Sequence, residues 1–102
     1  MSERDFTRQV IDLARLLGWH VMHQRPARNA RGWVTAVSGH VGFVDLVLCR
    51  HRVVFAELKI PPNGLTEAQA GWVEALRAAG ATVEVWTPTD WPRIEAVLKG
   101  EV

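Results

Sequence analysis

Cysteine is almost absent from this chain of 102 residues, and long apolar runs are missing altogether. The single cysteine, Cys49, cannot form a disulfide within the chain. Because it lies in an apolar run, we expect a buried, unreactive thiol in a reducing compartment. The first five residues, Met1–Asp5, lack the apolar core of a signal peptide, and no apolar run is long enough to cross a bilayer. We therefore expect one soluble, cytoplasmic domain spanning residues 1–102, with no membrane partner.

The motifs of several enzyme classes are missing as well. His20 and His23 are three residues apart on a predicted strand and point to opposite faces, so with one cysteine the chain has no zinc-ligand pattern. No glycine-rich loop leads into Lys-Ser or Lys-Thr, and no Gly-x-Ser-x-Gly sequence occurs. These absences exclude a phosphate-binding P-loop and the nucleophile elbow of the α/β-hydrolases.

Acidic residues are missing from one long stretch. Between Leu13 and Val44 there is no Asp or Glu, whereas the stretch contains four arginines and three histidines. After Lys59 the balance reverses, with six acidic residues against two arginines and one lysine. This asymmetry is typical of a protein with one face turned to a polyanion. A solvated loop that carries arginines by chance explains the charges equally well.

Residues 25–40 predict a long irregular segment, which in a compact domain is usually functional or mobile. Arginines beside an aromatic residue suit phosphate contacts combined with base stacking. Alternatively, the tryptophan packs on the core and residues 34–37 add an edge strand. The candidate nucleic-acid contacts in this segment are Arg25, Arg28, Arg31 and Trp33.

A tight antiparallel hairpin is predicted between Phe43 and Lys59. Two apolar, β-branched runs, residues 43–49 and 53–59, flank the polar break Arg50-His51-Arg52. With the turn centred on His51, residues whose numbers sum to 102 face each other across the two strands. Asp45 is then opposite Glu57, with Cβ atoms roughly 5 Å apart.

Two facing carboxylates destabilise a hairpin unless something offsets their repulsion. A divalent cation between Asp45 and Glu57 would do so, and hard carboxylate oxygens suit Mg²⁺ or Mn²⁺. Lys59 shares the Glu57 face because strand side chains alternate. Its ammonium group could orient a water molecule or neutralise developing charge. Alternatively, Glu-x-Lys is simply a strand end that meets solvent.

The remaining elements complete an α/β domain. Ser2 is predicted to cap a first helix with an apolar stripe at Phe6, Val10, Leu13 and Leu17, and residues 19–24 form a strand. Thr66 and Gln69 form a capping box on a second helix, whose predicted buried side is Ala68, Trp72, Leu76 and Ala79. A strand over residues 81–86 and a last helix follow.

The predicted order is therefore helix, three strands, helix, strand, helix. The two hairpin strands are apolar on both faces, which predicts a mixed sheet with those strands in its centre and helices on both sides. Glu3 would project toward the sheet from the first helix, although acids also favour helix N-termini through the dipole. Gln69 likewise has a sufficient structural role in its capping box.

Taken together, these residues resemble the PD-(D/E)XK nuclease superfamily. The matching pattern is Asp45, a gap of eleven residues, Glu57-Leu58-Lys59, and a helix that begins Leu65-Thr66-Glu67-Ala68-Gln69. The resemblance covers nearly the whole chain and is greatest to the small VRR-NUC branch, including stand-alone phage and bacterial forms related in fold to Holliday-junction resolvases. It implies a restriction-endonuclease-like core. In one departure, the residue before the aspartate is usually proline in the family and is Val44 here.

The resemblance also implies roles for individual residues. Asp45 and Glu57 would bind the metal, Leu58 would add its backbone carbonyl, and Lys59 would assist attack by water. The family's first-helix glutamate and second-helix glutamine match Glu3, as a further metal ligand, and Gln69, as a catalytic residue. Gly42 matches a family position that we assign to the nucleic-acid contacts.

These roles predict an endonuclease that depends on Mg²⁺ or Mn²⁺ and cuts structured or branched DNA in the cytoplasm of a bacterium or a phage-infected cell. A domain of this size covers little DNA alone, so a homodimer is expected. One alternative is a nucleic-acid-binding module of the same fold that does not cleave. Another is a protein-interaction domain, which would show no salt-sensitive affinity for nucleic acid.

Overall fold

The fold was obtained as a computed structural model that describes residues 1–24, 27–29, 32–34 and 37–102. The helices are α1 (Glu3–Leu16), α2 (Glu67–Ala78) and α3 (Trp91–Leu98), the last preceded by a short 3-10 turn, Pro88–Asp90. The strands are β1 (His20–His23), β2 (Ala27–Asn29), β3 (Gly32–Val34), β4 (Leu46–Cys49), β5 (Val53–Leu58) and β6 (Thr82–Trp86). In these ranges no helix has the length and apolarity that a bilayer crossing requires.

Four strands form the main sheet in the order β1-β4-β5-β6. β4 pairs antiparallel with β1 and β5, whereas β5 and β6 are parallel. The predicted mixed sheet with the two hairpin strands in its centre is thus confirmed. The Arg50–Arg52 turn is confirmed too, with the Arg50 N–H donating to the Arg52 carbonyl at 3.1 Å.

The prediction of three strands before α2 was incomplete. β2 and β3 form a separate two-stranded antiparallel sheet within the segment predicted to be irregular, and β3 pairs with β2 rather than extending the main sheet. Each strand has only three residues, which is too short for an alternating apolar pattern to show in the sequence. β4 is also shorter than predicted and begins at Leu46 rather than Phe43.

Helix α1 begins as predicted, because the Ser2 side chain accepts a hydrogen bond from the Asp5 N–H at 3.0 Å. Phe6, Val10 and Ala14 are fully buried. Leu13 and Leu17, which were predicted to lie on the buried stripe, are only partly buried. The centre of the buried face is therefore displaced by one residue toward Ala14.

Helix α2 is rotated relative to the prediction. Its capping box is present, but Ala68 and Ala79 are exposed, and Val73 is the residue that becomes buried. Val73 packs with Val44 and Val83 in a small core, and this contact sets the rotation. Residues 69, 73 and 76 then lie on one side of the helix, since they are spaced by four and three. Gln69 is consequently turned toward the sheet.

Two apolar cores occupy opposite faces of the sheet. The larger contains α1, α3 and the even-numbered residues of β4 and β5, and the smaller contains Val73 of α2 with Phe55 of β5 at its side. Because strand side chains alternate, Glu57 points to the same face as Phe55. The prediction of helices on both faces is confirmed, and Glu57 lies on the face that α2 covers.

The expectation of a buried thiol was wrong, since Cys49 is exposed. Cys49 is the last residue of β4 and is paired in register with Val53, which is 43% exposed. An apolar run around a cysteine therefore did not guarantee its burial, because neither core covers the sheet surface at this turn.

Candidate active site

Four strand ends meet at one end of the sheet. The pairing directions bring together the ends of β1, β5 and β6 and the beginning of β4. Two hydrogen bonds of 2.9 Å extend the pairing beyond the strands, from the Gln24 N–H to the Asp45 carbonyl and from the Lys59 N–H to the Trp86 carbonyl. The short segments that leave or enter these strands are thus held side by side.

The predicted hairpin register is confirmed. Leu46 is paired with Ala56, so the next position along puts Asp45 opposite Glu57. The Asp45 Oδ2 atom accepts a hydrogen bond from the Leu58 N–H at 2.9 Å. This bond fixes the Asp45 carboxylate against the end of β5.

The backbone carbonyl of Leu58 faces the same side as its N–H. Consecutive residues of a strand direct their backbone groups to opposite neighbours. The Lys59 N–H faces β6, so the N–H and C=O of Leu58 face the β4 side, where Asp45 lies. A backbone carbonyl and a carboxylate therefore share this edge.

Glu57 is fully buried and incompletely hydrogen-bonded. Its Oε1 atom accepts a long bond of 3.4 Å from Gln69 Nε2, and within the described residues its Oε2 atom has no partner. Burial, followed by the effect of the neighbouring Asp45 carboxylate, raises the pKa of Glu57 from 4.5 to about 9. The metal-free protein therefore holds Glu57 protonated at neutral pH.

Gln69 has two roles at once. Its Oε1 atom accepts the Thr66 N–H at 3.0 Å to close the capping box, while its Nε2 group donates to Glu57. The structure therefore brings together the three predicted residues Asp45, Glu57 and Gln69. Gln69 is therefore both the N3 residue of the Thr66 capping box and a neighbour of the buried carboxyl group.

Lys59 lies on the Glu57 face, as alternation requires, and only 8% of its surface is exposed. Its positive charge opposes the larger effects and lowers the pKa of Glu57. Among the described residues its ammonium group forms no ion pair. The Lys59 side chain is thus buried on the face of the sheet that carries Glu57, without a direct salt bridge among the described residues.

Glu3 is not part of the cluster. It is exposed at the start of α1, and it is the last of the charges that raise the pKa of Glu57. Across the parts of the chain that the structure describes, no three His, Cys, Asp or Glu side chains lie close enough to hold a metal together. The carboxylate pair therefore consists of Asp45 and Glu57, and Glu3 acts on it only from a distance.

Gly42 packs against the first turn of α2. Its φ is +85°, and a Cβ atom there would lie 2.7 Å from the Ala68 Cβ and 3.0 Å from the Gln69 backbone nitrogen. Only glycine fits both this backbone conformation and this approach. The position that we assigned to nucleic acid thus has a steric role, which is to let the segment before β4 lie against the helix that carries Gln69.

A cleft of about 360 Å³ leads to this site. Asp45, Gln69 and Gly42 line it together with Gln24, which follows β1. Sequence reasoning missed Gln24. The signal that could have found it is antiparallel pairing of β1 with β4, which brings the residue after β1 beside Asp45.

Parts of the basic segment lie outside the described residues. This holds for Arg25 and Arg31, whereas Arg28 of β2 is paired in register with Trp33 of β3. Gln24 and Val41, the residues on either side of the segment 25–40, both line the cleft.

Comparisons with family models, with curated proteins and with solved structures found no match for this chain. The chemistry of the site therefore has to be judged from its own groups. Two carboxyl groups and a backbone carbonyl at one strand end supply oxygen atoms of the kind that a hard cation takes as ligands once Glu57 has lost its proton.

Proposed function

We propose that this chain is a nuclease with a restriction-endonuclease-like core of the PD-(D/E)XK type, which hydrolyses phosphodiester bonds of DNA with the aid of Mg²⁺ or Mn²⁺. The observation that carries the proposal is the pairing of half-buried Asp45 with fully buried Glu57, whose Oε2 atom has no partner among the described residues. A buried carboxyl group with an unused oxygen is costly unless a ligand completes it.

The residues present fit such a cation. Asp45, Glu57 and the Leu58 carbonyl are hard oxygen donors, which Mg²⁺ and Mn²⁺ prefer to nitrogen or sulfur. Three protein oxygens leave positions for water and for phosphate oxygens. When bound, a divalent ion lowers the pKa of water and stabilises the charge that develops on a phosphodiester. Glu3 is not among these ligands, because it is exposed and lies outside the carboxylate pair.

The side chains around the pair have separable tasks. Asp45 is held in position by the Leu58 N–H, and Gln69 holds Glu57 from the first turn of α2. Lys59 can orient the attacking water or neutralise the charge on the phosphate. Glu57 has to give up its proton before it can act as a ligand, so cation binding releases a proton.

The DNA-binding surface is proposed to include the basic segment. Three arginines spread along this segment of the sequence suit phosphate contacts, which position a duplex without reading its sequence. They are Arg25, Arg28 and Arg31, with Trp33 and Gly42 as further contacts. Structured or branched DNA is the proposed substrate, and a homodimer the proposed assembly.

A cleavage assay tests the proposal. Labelled duplex, flap, forked and four-way DNA are incubated with the protein in Mg²⁺, in Mn²⁺ and in EDTA. We expect cutting that requires the ion and is abolished by Glu57→Gln and by Lys59→Ala, with DNA binding largely retained. Lys99→Ala is the matched control, because Lys99 is an exposed lysine paired with Glu95 on α3. Equal loss of binding and cutting in a folded variant would contradict the assigned roles.

One observation favours a second candidate, a DNA-binding module that does not cleave. Within the described residues the carboxylate pair lacks a third acidic, histidine or cysteine ligand close by. This module would bind the same DNA in EDTA and in Mg²⁺, and it would leave every substrate intact in both.

A further inference from the structure

A second groove, of about 620 Å³, runs along the exposed side of α2. One wall is formed by residues 39–41, and the other by three small residues of the helix with Trp72 beside them. The small residues are Ala68, Gly71 and Ala75. They leave the helix surface open, since a Cβ atom added at Gly71 would meet no atom of the described residues within 4 Å.

The groove is continuous with the cleft of the candidate active site. Val41 lines both of them. Ala68 lines the groove, and the next residue, Gln69, lines the cleft and contacts Glu57. A strand whose phosphate lies at Asp45 and Glu57 would therefore have its neighbouring nucleotide at the mouth of the groove.

The chemistry of the groove suits the flat face of a base rather than a phosphate. Among the described residues that line it there is no Asp, Glu, Lys or Arg. Trp72 is held rigidly, with its Nε1 donating to the His40 carbonyl at 3.2 Å and its ring edge-on to Phe43 at a centroid distance of 4.9 Å. Fixed aromatic and small apolar surfaces bind bases by stacking without regard to sequence.

A second copy of the chain fits the groove less well. A stable interface uses about 20–30 residues on each side, whereas only a few of the described residues line this groove. Its volume instead lies within the range of about 300–1,000 Å³ that is typical of small-ligand sites.

We infer that this groove binds an unpaired base of the DNA strand that is cut, next to the scissile phosphate. The inference rests on the proposed nuclease function and specifies its substrate class, namely DNA with at least one unpaired nucleotide at the cleavage position. The bases of a fully paired duplex are stacked, so a base can enter the groove only if it is first extruded from the helix, which costs free energy.

Variants that fill the groove test this inference. Gly71→Leu and Ala75→Leu add bulk inside it, and Gly71→Leu also replaces a glycine in a helix, so the fold should be retained. Ala78→Leu is the matched control, because Ala78 is an exposed alanine of the same helix outside the groove. None of these residues belongs to the carboxylate site.

The first measurement is cleavage of a duplex with one unpaired nucleotide and of the same duplex fully paired. We expect the wild type and Ala78→Leu to prefer the substrate with the unpaired nucleotide. Each groove variant should lose about tenfold or more of that preferred activity, since stacking of one base has about this effect. Groove variants that cut both substrates as the control does would overturn the inference and leave the nuclease proposal standing.

The second measurement does not depend on cutting. Single-stranded DNA that carries 2-aminopurine is titrated in EDTA, and its fluorescence reports whether the base enters an apolar site. We expect a response with the wild type and Ala78→Leu that is lost in both groove variants, even if the protein proves to cleave nothing. A response that survives in the groove variants, or a change from dimer to monomer on filling the groove, would overturn the inference.

Discussion

Replacing Glu57 with glutamine should make the metal-free protein more stable at neutral pH. Glutamine has the same shape and no charge, and its amide can donate to Asp45 while its carbonyl accepts from Gln69. The wild-type carboxyl group has a pKa of about 9 in the folded protein against 4.5 ordinarily. Folding therefore forces Glu57 to take up a proton that it would lose in the unfolded chain.

The sign of the pH dependence follows from this proton. Between pH 4.5 and pH 9 the folded state binds the proton and the unfolded state does not, so the free energy of unfolding falls as pH rises. At pH 7, about 2.5 pH units above the ordinary pKa, the loss is about 3 kcal/mol. The stabilisation by Glu57→Gln should thus be near zero at pH 4, about 3 kcal/mol at pH 7 and about 6 kcal/mol at pH 9.

Urea denaturation of both proteins in EDTA between pH 4 and pH 9 measures this difference. Glu74→Gln is the control for a general effect of charge, because Glu74 is exposed on α2. A Glu57→Gln variant that is less stable than the wild type at pH 7 would refute the reasoning, as would a difference that does not change with pH. Either result would mean that Glu57 is satisfied in the metal-free protein.

Three further predictions concern the same end of the sheet. Gly42→Ala should lower the free energy of unfolding by about 2–4 kcal/mol, and Gly39→Ala by about 1–2 kcal/mol. Both glycines have a positive φ, but only Gly42 lies against α2. Equal losses of stability in urea denaturation would contradict this prediction. Without metal, the Asp45→Asn variant should be at least as stable as the wild type. It should nevertheless lose most of the increase in melting temperature that Mn²⁺ gives the wild type. A metal-free variant that melts well below the wild type would mean that Asp45 is a structural residue. The last prediction replaces Arg25, Arg28 and Arg31 together with alanine. DNA binding should weaken, and the slope of log affinity against log salt should flatten by about 0.9 for each lost phosphate contact, whereas an unchanged slope would remove this segment from the interface.

The sequence alone determined the features that depend on residues close together in the chain. The polar break at residues 50–52 fixed the hairpin register, because a tight turn leaves only one pairing in which both apolar runs face their cores. Ser2 and Thr66 marked the two helix starts, since a cap is satisfied within its own first turn. The pairing of Asp45 with Glu57 therefore followed from the turn position and strand alternation, both of which are local.

The tertiary structure decided how those elements face each other. Helix α2 has apolar residues around much of its circumference, so its sequence permitted more than one rotation. The contact of Val73 with Val44 and Val83 selected the rotation that turns Gln69 toward Glu57. The pKa of Glu57 was equally undetermined by sequence, because its largest cause is burial by elements distant in the chain.

The tertiary structure also decided which residues at the ends of the sheet are exposed to solvent. Cys49 lies in an apolar run but at a turn that no helix covers, and Gln24 carries no motif yet lines the cleft beside Asp45. The local sequence pattern indicates which face of the sheet a residue points to. Whether that residue is buried depends on whether another element packs against that face. The sequence thus determined the pairing of Asp45 with Glu57 and its register, and only packing buried Glu57, raised its pKa and left a groove beside the site.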